Sequence, residues 1–295
     1  MSLNGWLNID KPAGMTSYQV IARLKRLTGR SRIGHAGTLD PLATGILPVA
    51  LGQATRTVEY LHQVSKSYRA LIQPGITTDT YDAEGRVTAT ADASAVSLEA
   101  VNNALKPFLG IIRQVPPIYS ALKQNGRPLY ELARNGEKVE AKERLVTIYR
   151  LELTAFTPPL VTIEVECGSG TYIRSLAYDL GQALGVGAHL KNLERTSYGL
   201  FDIKQAIALD SLQSVEDICA NLLPVDIALS ALPVLEVNEP EAAQIACGVV
   251  SPEITAKLTG HNAYRLYKQD EQLLAIADMA GDELRLKVFS IEAAS

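Results

Sequence analysis

The chain has 295 residues, 47% of them hydrophobic, and a formal net charge of -4. That length holds one large domain or two ordinary ones around a substantial core, and the composition is not that of a disordered chain. No apolar run reaches the roughly 20 residues that span a bilayer, and Met1-Ser2-Leu3-Asn4-Gly5 lacks the basic start of a signal peptide, so a cytoplasmic protein without a membrane partner is expected.

Cys167, Cys219 and Cys247 lie far apart, with no C-x-x-C pair and no histidine at ligand spacing. Neither a disulfide framework nor a metal site is indicated, and all three are read as small packing residues. Charge is unevenly spread. Residues 1–75 carry nine cations against three acids, net +6, whereas residues 236–295 carry five against ten, net -5. Such asymmetry can focus a polyanion onto one face of an acidic protein; a solvated helix face is the equal alternative.

Trp6-Leu7-Asn8-Ile9-Asp10 alternates as a short strand and runs into the turn Lys11-Pro12-Ala13-Gly14. Thr16 and Gln19 form a capping box, and Val20, Ile21, Leu24 and Leu27 recur at helical spacing up to a stop at Gly29. Arg23, Lys25, Arg26 and Arg30 fall on the outer face of that helix. Ile46 to Leu51 is apolar, Val58 to Leu61 reads as a short helix, and Lys66 to Ile72 alternates as a strand ended by Pro74-Gly75. Thr77 to Gly85 is polar loop, and Leu98 to Leu109 is an amphipathic helix capped by Ser97.

The stretch from Pro116 to Arg144 is dense in charge of both signs and is expected to project as a partly mobile insertion. Arg144 to Phe156 and Leu160 to Glu166 alternate as two longer strands joined by Pro158-Pro159, and Gly168-Ser169-Gly170 leads into a helix over Thr171 to Leu184. A nucleotide cofactor is unsupported: G-x-G-x-x-G needs glycine where Ile173 stands, and no G-x-x-x-x-G-K-[ST] occurs. Leu209 to Leu223 reads as a helix, Leu232-Pro233 as a hinge and Glu241 to Cys247 as a short helix. Strands over Ala263 to Tyr267, Leu273 to Asp278 and Glu283 to Phe289, with turns at Asp270-Glu271 and Gly281-Asp282, make a small β-rich terminal unit.

The chemistry concentrates in Gly34-His35-Ala36-Gly37-Thr38-Leu39-Asp40-Pro41-Leu42-Ala43-Thr44-Gly45. Glycines let main chain approach a ligand and Pro41 fixes the backbone beside Asp40, so the segment holds one acid on a pre-shaped loop; Asp-Pro as a helix N-cap is the plainer reading. Tyr68 lies between Lys66 and Arg69, and Tyr172 with Arg174 starts a helix. A carboxylate beside a guanidinium stays ionised, which suits a nucleophile, and an aromatic face stacks an unpaired base, although for Tyr68 and Tyr172 taken by themselves core packing is the preferred reading. The residues alone reach a single-carboxylate site for an unstacked base.

Asp10-Lys11-Pro12 with Gly14-Met15-Thr16-Ser17, the twelve-residue loop, Lys66-Ser67-Tyr68, Thr78-Asp79-Thr80-Tyr81-Asp82, Pro117-Ile118-Tyr119-Ser120-Ala121-Leu122-Lys123 and Gly170-Thr171-Tyr172-Ile173-Arg174 resemble the tRNA pseudouridine-55 synthases of the TruB type, in order across residues 5 to about 200. The resemblance implies an α/β (α+β) pseudouridine-synthase fold: a large mixed, mostly antiparallel sheet, a central catalytic cleft and a small C-terminal PUA-like domain. It implies a catalytic domain over 1–232 with an RNA-gripping insertion near 123–144, and the small domain over 236–293.

By resemblance the activity is isomerisation of one uridine in the T-arm of transfer RNA, without cofactor or metal, by a monomer. Asp40 matches the nucleophile, Arg174 its partner, Tyr68 the tyrosine that stacks on the base and Tyr172 the second pocket tyrosine. Leu193 matches the apolar floor, His35 a histidine that holds the T-loop, and Lys11 supports the first turn. Asp79 and Asp82 are read as loop structure, and the net -5 of the terminal unit sets it down as packing more than phosphate contact. Two rivals remain: an RNA-binding or RNA-folding module with an idle pocket, and a guide-dependent pseudouridylase subunit, for which a basic extension beyond Ile291-Glu292-Ala293-Ala294-Ser295 is expected and not seen, so no guide RNA is expected.

Overall fold

The computed structural model describes residues 3–289 apart from 121, 125, 136, 138, 270–272 and 281–282; the turns expected at Asp270-Glu271 and Gly281-Asp282 lie outside the described residues. Strand β1 (Gly5–Lys11) leads into helix α1 (Ser17–Thr28), whose capping box between Thr16 and Gln19 is formed and whose C-cap Gly29 is left-handed. This satisfies the first free N–H groups and the last carbonyls of the helix. Val20, Ile21 and Leu24 bury one face, while Lys25 and Arg26 sit in the last turn.

After α1 come β2 (Ile33–His35), the loop bearing Asp40, β3 (Thr44–Leu51), α2 (Val58–Leu61), β4 (Lys66–Pro74) and a small hairpin of β5 (Ile76–Thr78) and β6 (Val87–Thr90). Helix α3 (Leu98–Leu105), capped by Ser97, precedes β7 (Gly110–Gln114). The insertion contributes the hairpin β8 (Lys123–Gln124) and β9 (Arg127–Pro128) and helix α4 (Leu129–Arg134). The two long strands β10 (Arg144–Thr157) and β11 (Leu160–Cys167) pair antiparallel and feed α5 (Ile173–Ala183).

The next strand, β12 (Ala188–Tyr198), is the hub, yet its sequence does not alternate cleanly. It lies antiparallel to β4 with bulges at Leu190/Asn192 and Arg195/Ser197, each of which resets which side chain faces the core. With β13 (Phe201–Asp202) and β14 (Ile207–Ala208) it completes a ten-stranded sheet of order β14-β1-β3-β12-β4-β11-β10-β7, with β2 on β3 and β13 on β12. Only β1/β14 and β3/β12 are parallel, so the sheet is mixed and mostly antiparallel.

The helix expected over Leu209 to Leu223 shrinks to α6 (Val215–Ala220), because Ser214 and Asp217 form a capping box that starts the helix there and leaves residues 209–211 as a single tight turn. Beyond it β15 (Val234–Val237), α7 (Glu239–Ala246), α8 (Pro252–Lys257), β16 (Ala263–Lys268), β17 (Leu273–Ala280) and β18 (Glu283–Val288) build a separate four-stranded sheet, order β15-β16-β17-β18. Its own core includes Val237, Ile245, Ile254, Leu266 and Leu274. Ile276 and Phe289 pack it against Tyr60 of α2 and Leu229 of the larger unit. Among the described residues no helix is long and apolar enough to cross a membrane. Cys167 is buried in the core and half-buried Cys219 packs against the cluster around Leu212 and Ile218, but Cys247 is exposed, which corrects its reading as a packing residue.

Candidate active site

No helix begins at Pro41, so the N-cap reading of Asp40 falls away. The loop is instead pinned from several sides. Ser17 Oγ donates to the Leu39 carbonyl at 3.1 Å and accepts from the Leu39 N–H at 2.9 Å, and the Gly14 N–H donates to the Pro41 carbonyl at 2.8 Å. Lys11, wholly buried, donates to the carbonyls of Pro12, Met15 and Pro41 at 2.8, 2.6 and 3.3 Å; burial pulls its pKa down to about 8. It lies behind the loop and holds it.

Two glycines of the loop are demanded by close approach. At Gly45, with φ +91°, a Cβ would stand 2.3 Å from the Arg195 carbonyl oxygen, where β3 meets β12. At Gly37, with φ +64°, it would stand 2.8 Å from the Tyr198 ring. Both positions combine a left-handed backbone with no room for a side chain.

Asp40 projects from this loop toward α5, where Arg174 Nε lies 2.9 Å from one carboxylate oxygen and Nη2 3.3 Å from the other. The Arg174 side chain is 6% exposed and also donates to the Tyr119 carbonyl at 2.9 Å, and its Nη1 lies 3.3 Å from Asp82 Oδ2. One guanidinium is thus shared by two carboxylates. Asp82 is further fixed by Thr80 Oγ1 at 2.6 Å and the Glu84 N–H at 3.1 Å. Asp82 thus braces its own loop and also joins the Asp40–Arg174 pair; Asp79, by contrast, accepts from the Arg86 N–H at 2.8 Å and stays within its loop.

The Asp40 carboxyl is not depressed as its pairing alone suggests. Burial pushes its pKa above the ordinary value, Arg174 and Lys11 pull it back, and the neighbouring Asp82 adds to the rise. Desolvation outweighs the ion pair here.

A cavity of about 420 Å³ opens over Asp40, walled by Tyr68, Tyr172, Arg174 and Leu193. Tyr68 and Leu193 come from facing strands, Tyr68 opposite Arg195 and Leu193 opposite Ala70, and both are buried. Tyr172 is the N-cap residue of α5, and its backbone is clamped by Gln114 through bonds of 2.8 and 3.0 Å. His35 is not in this cavity. It lines an adjoining groove that shares Thr38, Leu39, Asp40, Ser120 and Arg174 with it, and its Nδ1 has no hydrogen-bond partner. Burial and then Arg195 lower the His35 pKa, so the ring is neutral near pH 7.

Arg195 escaped the sequence reading. It is 1% exposed and donates to the carbonyls of Ile46 and Gly37 at 2.7 and 2.9 Å, tying β12 to the Asp40 loop. The available signal was Gly45, whose missing side chain admits the Arg195 backbone. Among the described residues no group of three or more His, Cys, Asp or Glu is placed to hold a metal ion.

Residues 25–173 match the family model of the TruB family pseudouridylate synthase N-terminal domain, and 174–230 that of the tRNA pseudouridylate synthase B C-terminal domain. The chain belongs to the TruB family of pseudouridylate synthases. It is a pseudouridine synthase, an isomerase. The boundary between the two matches falls inside the cavity wall: Asp40, Tyr68 and Tyr172 lie in the first, Arg174, Leu193 and Arg195 in the second.

Similar proteins include the tRNA pseudouridine synthase B of Dehalococcoides mccartyi, 42% identical over 278 residues, 93% of this chain and 92% of that one. The tRNA pseudouridine synthase B of Pseudomonas aeruginosa is 47% identical over 247 residues, 82% of this chain and 81% of that one. Among solved structures, a Cbf5-Nop10-Gar1 complex contains a chain matched at TM-score 0.71 and 26% identity, covering 98% of this chain and 84% of that one. The pseudouridine synthase fold, a large mixed sheet with a small C-terminal β sheet, is common to both.

Proposed function

We propose that this TruB-family enzyme isomerises the uridine at position 55, in the T-arm of transfer RNA, to pseudouridine, with Asp40 as nucleophile on a base flipped out of its stack. The observation that carries the reading is the Asp40–Arg174 pair, 2.9 Å apart at the floor of a cavity lined by Tyr68, Tyr172 and Tyr198. The transfer RNA substrate rests on the names of relatives 42% and 47% identical.

Chemically, the ionised carboxylate attacks either C6 of the uracil or C1′ of the ribose. The N1–C1′ bond breaks with its electrons left on the base, and the base turns within the cavity. C5 then bonds C1′, the carboxylate leaves, C5 loses a proton and N1 gains one. Atoms and charge balance without any cofactor.

In this reading Arg174 holds and orients the carboxylate, Tyr68 stacks on the base, Leu193 floors the pocket, and Tyr172 stands by C5. Lys11 fixes the Asp40 loop, and His35 in the adjoining groove meets the T-loop. The hairpin and helix near 123–144 grip the RNA stem. A monomer acting alone is the working unit.

The test is purified protein with an unmodified transfer RNA transcript, followed by carbodiimide treatment and reverse transcription. One new stop at the T-loop uridine is expected with protein alone. RNA binding without a stop would leave an idle pocket. A second reading, a guide-dependent subunit, is favoured by the likeness to chains in Cbf5-Nop10-Gar1 and H/ACA RNP structures, and would show the stop only with a guide RNA added.

A further inference from the structure

The Asp40 cavity has a second end. Lys66 stands two residues before Tyr68 on β4, on the same face, and lines the same cavity. It is 8% exposed; its Nζ donates to Ser169 Oγ at 2.9 Å and lies 4.5 Å from the centre of the Tyr198 ring. The Arg195 guanidinium approaches the same ring at 5.1 Å. Among the described residues neither cation has a carboxylate at salt-bridge distance, and the wholly buried Tyr198 hydroxyl has no hydrogen-bond partner. Burying two cations side by side without an acid is costly, and an anion arriving from outside offsets that cost.

The wall beside Lys66 is the turn Gly168-Ser169-Gly170-Thr171, which opens into the eleven-residue helix α5. Gly170 is left-handed, with φ +84°, and among the described residues the N–H groups of Ser169, Gly170 and Thr171 have no acceptor within the chain. Successive free N–H groups beside a left-handed glycine form an anion-binding concavity, which the positive end of the helix reinforces. The two ends therefore differ in sign: carboxylates Asp40 and Asp82 share one guanidinium at the first, and unneutralised cations floor the second. A nucleotide is neutral at its base and negative at its phosphate, so this polarity sets its direction in the cavity.

We propose that the Lys66 end is a phosphate subsite, which receives the phosphodiester adjoining the target uridine while the uracil lies at Asp40. The inference rests on the RNA reading above. The non-bridging oxygens accept from Lys66 Nζ and from the Ser169–Thr171 turn, and Arg195 adds charge from below.

The test uses T-arm stem-loop RNA with a single neutral methylphosphonate at the phosphate either 5′ or 3′ of the target uridine, beside the all-phosphodiester RNA. Single-turnover kcat/KM is measured with the full-length protein and with its Lys66→Met variant. With Lys66 in place, one of the two neutral linkages lowers kcat/KM roughly tenfold, the loss of one charged hydrogen bond. Lys66→Met shows the same loss on phosphodiester RNA and no further loss on that methylphosphonate RNA. Equal turnover of all three RNAs by the unmutated protein overturns the subsite even if Lys66→Met does not fold. A Lys66→Met loss of the same size on phosphodiester and methylphosphonate RNA overturns it too. Turnover of the phosphodiester RNA upholds the parent reading throughout, so the two failures are distinguishable.

Discussion

The two sheets of this molecule treat charge in opposite ways. In the large sheet and the elements packed beside it, Lys11, Lys66, Asp82, Arg174 and Arg195 are all buried, between 0% and 8% exposed, and all line the Asp40 cavity, pair with its wall or hold the loop that bears Asp40. In the terminal sheet the described residues bury only apolar side chains, and ion pairs such as Lys257–Glu241 and Lys268–Glu239 lie at the surface. Buried charge costs stability unless it is paired, so a fold keeps it where chemistry requires it. The contrast supports the proposal that the reaction belongs to the large-sheet side, with the terminal sheet a packed companion joined to it by Lys287 to Glu59 at 2.6 Å, Arg56 to the Val288 carbonyl, and Tyr267 to Asp226.

The contrast breaks most directly at Arg174. Arg174→Met leaves Asp40 and Asp82 facing each other unpaired, and is expected to cost about 3–5 kcal/mol in urea unfolding and roughly 10³-fold in kcat/KM. A loss no larger than that of Lys257→Met, at a surface pair, would erase the distinction between the sheets.

The raised Asp40 pKa gives a second expectation. As pH falls, log kcat/KM should drop with unit slope through a pKa above the ordinary 3.8, because only the carboxylate attacks. The stability consequence has the opposite sense. The folded protein holds that proton more tightly than the unfolded chain, so this group's contribution is present at low pH and is lost as pH rises through the raised value. Thermal melts of wild type and Asp40→Asn should therefore converge at low pH and separate above that window, with Asp40→Asn the more stable.

Gly37→Ala should cost about 1–3 kcal/mol, since it adds a Cβ 2.8 Å from Tyr198 at a left-handed φ, and should lower kcat by shifting the Asp40 loop. Chemical denaturation and single-turnover rates check it. The smallest effect belongs to the junction with the terminal sheet: Lys287→Met removes a partly exposed pair and should change stability by less than about 1 kcal/mol, with kcat/KM unchanged.

Local structure was legible where one chemical signal dominates. The Thr16/Gln19 capping box, the Ser97 cap, the stop at Gly29 and the alternation of the strands near 66–72 and 144–166 follow from neighbours in sequence. Strand β12 was not, because two bulges break its period, and neither was the short α6, whose start is set by Ser214 and Asp217 inside a longer apolar stretch.

At the site, the resemblance named Asp40 and Arg174, but the sequence concealed their electrostatics. Asp82, 92 residues from Arg174, meets it only after β5 and β6 fold the 79–85 loop beside α5, and the balance of burial against pairing at Asp40 exists only in three dimensions. Arg195 has no local signature either; its partners are carbonyls more than a hundred residues away.

The buried charges in and beside the large sheet are proposed to serve Asp40 as a nucleophile. Asp40→Asn, incubated in single turnover with unmodified transfer RNA, measures that role most directly. The rate of pseudouridine formation should fall by at least about 10⁴-fold, with T-arm affinity held within about threefold. Turnover within tenfold of the unmutated protein would contradict it.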